Sequence, residues 1–119
     1  PSDKPITVTI VGGGSSAHIL IPFLFEAGKK IHLLTRRPES WSDSVVTCEL
    51  QCGVTANVTK HHEGKIHKKS SDPADVIPDA DVIILCMPVH QYRAALTRLA
   101  PYIQRSKEEV FVGAIYGQA

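Results

Sequence analysis

The stretch Ile6-Thr7-Val8-Thr9-Ile10-Val11-Gly12-Gly13-Gly14-Ser15-Ser16-Ala17 decides the fold. Its first six residues are all β-branched and uncharged, the composition of a strand buried on both faces. Three glycines then turn the chain into an apolar run, Ile19-Leu20-Ile21-Pro22-Phe23-Leu24-Phe25, so the order is strand, tight turn, helix. Only one register of that turn satisfies G-x-G-x-x-G/A, namely Gly12, Gly14 and Ala17. Gly12 permits the tight exit from the strand, Gly14 lets a pyrophosphate approach bare backbone, and Ala17 is small enough for the helix to lie close on the sheet. The free N–H groups at the helix start, with the positive end of its dipole, would hold the phosphates. Because strand and helix both flank the glycines, the pattern reads as dinucleotide binding rather than as a ligand-free turn.

Moving outward, the helix is expected to run to about Ala27, with Gly28 as its stop. Pro22 falls inside it. A proline there deletes a backbone hydrogen bond and costs roughly 3 kcal/mol, which predicts a kink or a displaced start. Lys30 to Thr35 reads as a second strand, closing a right-handed β-α-β unit. The chain is then polar through Ser44, with Trp41 its only large anchor. Val45–Gln51 and Val54–Thr59 alternate weakly around Cys52-Gly53 and read as an inserted hairpin. Lys60 to Lys69 is basic and His-rich, the composition of a solvated hairpin edge that discourages strand-to-strand aggregation, with a short strand near Ile66.

Ser71-Asp72-Pro73 is a helix-start signal, a capping side chain followed by proline at the first helical position, for a short helix ending before Pro78. Asp81 to Cys86 is a further doubly buried strand. Val89, Tyr92, Leu96, Leu99 and Ile103 then recur at helical spacing, with Arg93 and Arg98 pointing outward and Pro101 expected to split the helix. Glu109 to Gly113 reads as the last strand. This alternation implies an α/β fold, a doubly wound, mainly parallel Rossmann-type sheet of order 3-2-1-4-5 with an inserted β-hairpin. Ligands bind such sheets beyond the carboxyl ends of the strands, at the switch between strands 1 and 4. The loops Gly12–Ala17 and Met87–His90 are therefore the ones that matter, with the turn Ala114–Gln118 at the same edge.

The 119 residues make one domain, 43% hydrophobic and 21% charged, composition that indicates neither disorder nor a fibre. A formal charge of +1 gives no electrostatic case for nucleic acid or a membrane surface, and no apolar run is long enough to span a bilayer. The N-terminus lacks the plan of a signal peptide and a starting methionine, which reads as processing or trimming. Three cysteines, Cys48, Cys52 and Cys86, fit a reducing, cytoplasmic setting.

The identity of the coenzyme turns on the end of strand two. NAD-binding versions carry an acidic residue there that bonds the adenosine ribose. Here the sequence is Thr35-Arg36-Arg37, with no carboxylate until Glu39. A carboxylate would repel a 2′-phosphate, whereas guanidinium groups clamp it. The expectation is that Arg36, helped by Thr35 and Arg37, accommodates NADP. The alternative is that both arginines are solvated and that Glu39 or backbone serves NAD.

With these motifs in view, the chain resembles the N-terminal domain of the opine dehydrogenases, a family within a wider group that includes glycerol-3-phosphate dehydrogenase and ketopantoate reductase. The resemblance spans nearly all 119 residues. It rests on Gly12-Gly13-Gly14-Ser15-Ser16-Ala17-His18, on Ala80 to His90 with its Cys86-Met87-Pro88-Val89 turn, and on Gly117-Gln118-Ala119. Among these, only the His after the Ala favours the opine dehydrogenases over the wider group. Octopine dehydrogenase itself uses NADH, so the double arginine departs from that member. The resemblance implies a reductive condensation, in which an amino acid's amine and a 2-oxo acid form an imine that takes hydride from the nicotinamide. It also implies that the substrate pocket and catalytic histidine lie on a separate C-terminal helical domain. On this reading residues 1–119 are the coenzyme domain of a longer enzyme, holding no catalytic residue, able to bind coenzyme but inactive alone. Such a piece would expose an apolar patch through which it can form a homodimer. The expected coenzyme contacts are Gly12, Gly13, Gly14, Ser15, Ser16, Ala17, Thr35, Arg36, Arg37, Cys86, Met87, Pro88 and Val89.

Other constellations are weaker. His18 reads first as a packed or half-exposed histidine, and His90 as helix-start surface. Cys48, Cys52, His61, His62 and His67 match no zinc spacing, so no metal is expected. No G-x-S-x-G elbow supports a hydrolase. A glycerol-3-phosphate dehydrogenase or ketopantoate reductase type parent, or a nucleotide-sensing module without chemistry of its own, stays open at the level of the fold.

Overall fold

The computed structural model describes residues 6–51, 57–103 and 110–116. In chain order the elements are β1 (Thr7–Gly12), α1 (Ser15–Glu26), β2 (Lys30–Leu34), β3 (Ser44–Gln51), β4 (Asn57–Lys65) and β5 (Lys68–Ser70). They continue with α2 (Pro73–Val76), β6 (Val82–Met87), α3 (Tyr92–Ile103) and β7 (Phe111–Tyr116). Short 3₁₀ turns occupy Pro38–Ser40 and Val89–Gln91. Five strands form one sheet in the order β5-β2-β1-β6-β7, and β3 pairs with β4 as a separate antiparallel hairpin. Every ladder in the large sheet is parallel. Leaving the hairpin aside, this is the expected 3-2-1-4-5 order.

β1 is central and its side chains are buried on both faces. Val8 and Ile10 join Ile31 and Leu33 in a core beneath α1, where Ala17 and Ile21 are fully buried. Val11 faces the other way, with Leu34, Ile83 and Leu85 against Val76 of α2 and Leu99 of α3. Thr9, a buried polar residue of this layer, is satisfied: its hydroxyl donates to the Val76 carbonyl at 2.7 Å. α1 closes as expected at Gly28, whose φ of +85° suits glycine. Its N–H donates to the Phe25 carbonyl while that of Lys29 donates to Leu24, the paired bonds of a Schellman end.

Several boundaries differ from expectation. α1 runs unbroken through Pro22 and α3 through Pro101. In α1 the compensation is tertiary, because the hairpin packs over that turn. Gly64 of β4 sits so near that a Cβ there would lie 2.7 Å from the Pro22 Cα and 2.8 Å from the Ile21 carbonyl oxygen. β4 continues to Lys65, so the basic stretch is not simply a solvated edge. His61, Glu63 and Lys65 are exposed, but His62 and Gly64 turn inward onto α1. His62 is 2% exposed, and its Nδ1 lies 2.8 Å from Glu26 with its ring against Phe23. β5 is Lys68–Ser70 rather than a strand around Ile66, and β7 runs on to Tyr116, past the expected end at Gly113; Glu109, the expected start of that strand, lies outside the described residues. In β7, Phe111 is 69% and Val112 45% exposed. The second half of the Val54–Thr59 strand lies within β4; residues 52–56 and the 117–119 motif lie outside the described residues.

Candidate coenzyme cleft

Parallel pairing brings the carboxyl ends of β1 and β6 side by side, with Gly12 opposite Cys86. Gly12 adopts φ +126°, and a Cβ there would stand 2.2 Å from the Cys86 carbonyl oxygen. Only glycine can both take that conformation and let the strands approach. Gly14 is the N-cap of α1, extended and without a capping side chain, and the first turn carries no acidic residue. An α-helix leaves its first N–H groups without intrahelical acceptors, so this end of α1 presents uncancelled positive dipole.

A cleft of about 850 Å³ opens at this point. Of the residues expected to contact coenzyme, Gly12, Gly13 and Gly14 line one wall, Thr35, Arg36 and Arg37 a second, and Cys86, Met87 and Pro88 a third. Ser15, Ser16 and Ala17 form the first turn of α1 beside it, Ala17 fully buried under the helix. Val89 is not among the lining residues and is 48% exposed. The lining of the cleft includes no aspartate or glutamate among the described residues. Burial pushes the Cys86 thiol up to about 11, so it stays neutral and serves as a small apolar wall rather than as a nucleophile.

The cleft also contains residues beyond the expected coenzyme contacts. Ala94 and Ala95 of α3 leave room at the wall, and Arg98 one turn on is exposed at the rim. Rather than simply pointing outward, Arg98 donates from Nη2 to the Ser71 carbonyl at 2.8 Å, tying α3 to the end of β5. His90 is exposed and lines the cleft from its 3₁₀ turn. Trp41 is 9% exposed, and its carbonyl accepts from Lys69 Nζ, which also pairs with Asp43 at 3.2 Å. His18 is exposed rather than packed away, yet its ring is stacked on Trp41 at 4.1 Å between centroids, 22° from parallel. Its Nδ1 lies 3.2 Å from the Gly14 carbonyl, which requires the proton on Nδ1 if it donates. Among the described residues, no three His, Cys, Asp or Glu side chains converge as a metal site would require.

Comparison with known proteins agrees with this architecture. Residues 7–115 match the family model described as NADP oxidoreductase, coenzyme F420-dependent. An opine dehydrogenase from Haliotis discus hannai is 29% identical, the match covering 85% of this chain and 27% of that protein. A glycerol-3-phosphate dehydrogenase [NAD(P)+] from Corynebacterium kroppenstedtii is 28% identical, covering 82% and 28%. The solved structure of octopine dehydrogenase with NADH and L-arginine superposes with a TM-score of 0.76 over 96% of this chain and 29% of that one, at 23% identity. The chain thus spans under a third of the length of the curated relatives it matches. With the glycine turn, the parallel order and the acid-free cleft in place, the chain belongs to the NADP oxidoreductase, coenzyme F420-dependent family, as an NAD(P)-binding oxidoreductase domain related to the opine and glycerol-3-phosphate dehydrogenases.

Proposed function

We propose that the cleft binds NADP in preference to NAD and that the chain is the coenzyme domain of an opine dehydrogenase. The diphosphate rests on Gly12, Gly13, Gly14 and the first turn of α1 at Ser15, Ser16 and Ala17. The adenosine ribose lies at Thr35, Arg36 and Arg37, and the nicotinamide half runs along Cys86, Met87 and Pro88. The carrying observation is a glycine turn at an unneutralised helix start, facing a strand end that bears two arginines and no acid. An octopine dehydrogenase of the same fold binds NADH together with L-arginine, which supports a nicotinamide dinucleotide and an amino-acid co-substrate. The parent would reduce the imine formed between an amino acid and a 2-oxo acid, with the substrate-binding part of the enzyme in a further domain. Exposed Phe111 and Val112 at the sheet edge suit such a neighbour. Alone, residues 1–119 would bind coenzyme and turn nothing over.

Titration of NADPH and NADH against Arg36→Ala tests the coenzyme assignment. Loss of a charge-assisted hydrogen bond to phosphate lowers NADPH affinity by roughly ten- to a hundredfold, while NADH affinity holds within about threefold. Equal affinities of wild type and variant for NADPH would overturn it. The parent's reaction is tested separately, by NADPH oxidation in the full-length enzyme with pyruvate and a panel of amino acids.

A further inference from the structure

A donor at this cleft lacks an acceptor. Trp41 is the single tryptophan of the chain and is more than nine-tenths buried. Its backbone N–H donates to the Pro38 carbonyl, its carbonyl accepts from Lys69, and one ring face stacks on His18. The indole Nε1–H donates to no group among the described residues. That nitrogen lies 3.5 Å from the point where a Cβ would stand on Gly13, and the Thr35 hydroxyl lies 3.0 Å from the same point. Trp41, Thr35 and Gly13 all line the cleft, so the two side chains bracket one spot above the glycine turn. The buried side-chain nitrogens without a partner among the described residues are those of His32, so the Trp41 Nε1–H opens onto the cleft, where a bound group can accept it in place of water. The His18 stack holds the indole face, and the Lys69 bond to the Trp41 carbonyl fixes the backbone from which the ring projects.

In a β-α-β dinucleotide site, the group that meets the end of the second strand is the adenosine ribose, at its C2′ substituent. We propose that Trp41 is a coenzyme-specificity residue whose indole Nε1–H donates to the oxygen carried on ribose C2′. This rests on the coenzyme reading above and adds to it a neutral donor that no charge pattern announces. A 2′-phosphate oxygen is anionic and takes this hydrogen bond more strongly than a 2′-hydroxyl, because bonds to charged acceptors are about twice as strong. Trp41 therefore works with Arg36 rather than duplicating it: the guanidinium supplies charge, and the indole supplies a rigid, direction-fixed donor.

The test uses adenosine 2′,5′-bisphosphate and 5′-AMP as probes, which carry the ribose with and without the 2′-phosphate. Trp41→Phe keeps an aromatic ring to stack on His18 and removes the N–H together with part of the indole. It is expected to weaken the bisphosphate by about tenfold and 5′-AMP by less than about threefold. In the wild-type protein, which has one indole N–H resonance, that resonance is expected to move downfield with the bisphosphate and much less with 5′-AMP. This second measurement holds even if the variant fails to fold. Unchanged selectivity in a folded Trp41→Phe protein, or an indole resonance that stays put while the glycine amides shift, would overturn the proposal and leave the coenzyme reading intact. Absence of any binding by wild type to NADPH, NADH and both probes would remove the coenzyme reading and this inference with it.

Discussion

His32 is the residue whose burial costs most visibly. It sits in the middle of β2, 2% exposed, with neither ring nitrogen hydrogen-bonded. His67 stacks on it at 5.5 Å, 16° from parallel. Burial, then the neighbouring charges of His67, Lys30 and Lys68, lower its pKa from 6.5 to about 4, with Asp79 opposing. The folded protein thus keeps His32 neutral where the unfolded chain binds a proton. The unfolded state holds more protons between about pH 4 and 6.5, so stability rises with pH across that window and is lost as the medium is acidified through it. The effect amounts to about 3 kcal/mol at most. His32→Leu removes both the titration and the unpaired nitrogens. Urea midpoints of the variant are expected to fall less than those of wild type between pH 7 and pH 4.5, and its stability at pH 4.5 is expected to be higher. Parallel pH profiles for the two proteins would assign the acid sensitivity to another group.

At the scale of elements, the hairpin and α1 form a single packed unit. The hairpin presents Gly64 and His62 to the helix at period two, Gly64 against Pro22 and His62 against Glu26 and Phe23. A helix carrying an internal proline has lost a backbone bond and is the weaker for it; here the opposing strand covers that turn. Gly64→Ala would drive a methyl into backbone atoms of Ile21 and Pro22, which cannot yield as a side chain can. Overpacking of this kind costs roughly 1–3 kcal/mol, so thermal melts should show a clear drop. Because α1 also carries the diphosphate end of the cleft, the same variant is expected to weaken NADPH binding although it touches none of the cleft's lining. A melting temperature equal to wild type would mean that the hairpin can lift off α1 freely.

For the whole molecule, the consequence of the topology is that one cleft touches both cores. Trp41 and Cys86 in its lining belong to the core beneath α1, while Leu34, Met87 and Leu99 belong to the core on the opposite face. A dinucleotide spanning that cleft binds only the folded chain, which must stabilise it. At free coenzyme a hundred times its dissociation constant, the gain is about 2.7 kcal/mol, or a melting-temperature rise of roughly 10 °C for a domain of this size. NADPH is expected to give the larger rise at equal concentration. No rise with either coenzyme at millimolar concentration would refute the cleft as a dinucleotide site. Among the described residues, no helix is long and apolar enough to cross a membrane.

The sequence by itself determined the strand–glycine turn–helix unit, the parallel order and two walls of the cleft. These follow from local causes: β-branched runs buried on both faces, a turn that only Gly12 can make, and a crossover that brings β6 beside β1. The strand end at Thr35-Arg36-Arg37 was equally legible, because a missing carboxylate is a fact of composition at a known offset. Only the tertiary structure decided the rest. Trp41 and Arg98 reach the cleft through stacking on His18 and a bond to the Ser71 carbonyl, contacts between segments far apart in the chain. Pro22 and Pro101 looked like breaks because propensity counts one residue's lost hydrogen bond, whereas packing of a whole face onto a sheet or hairpin outweighs it. His62 and His32 looked like polar surface and ordinary strand, since burial is a property of what lies opposite, and nothing in a residue's own neighbours along the chain specifies that.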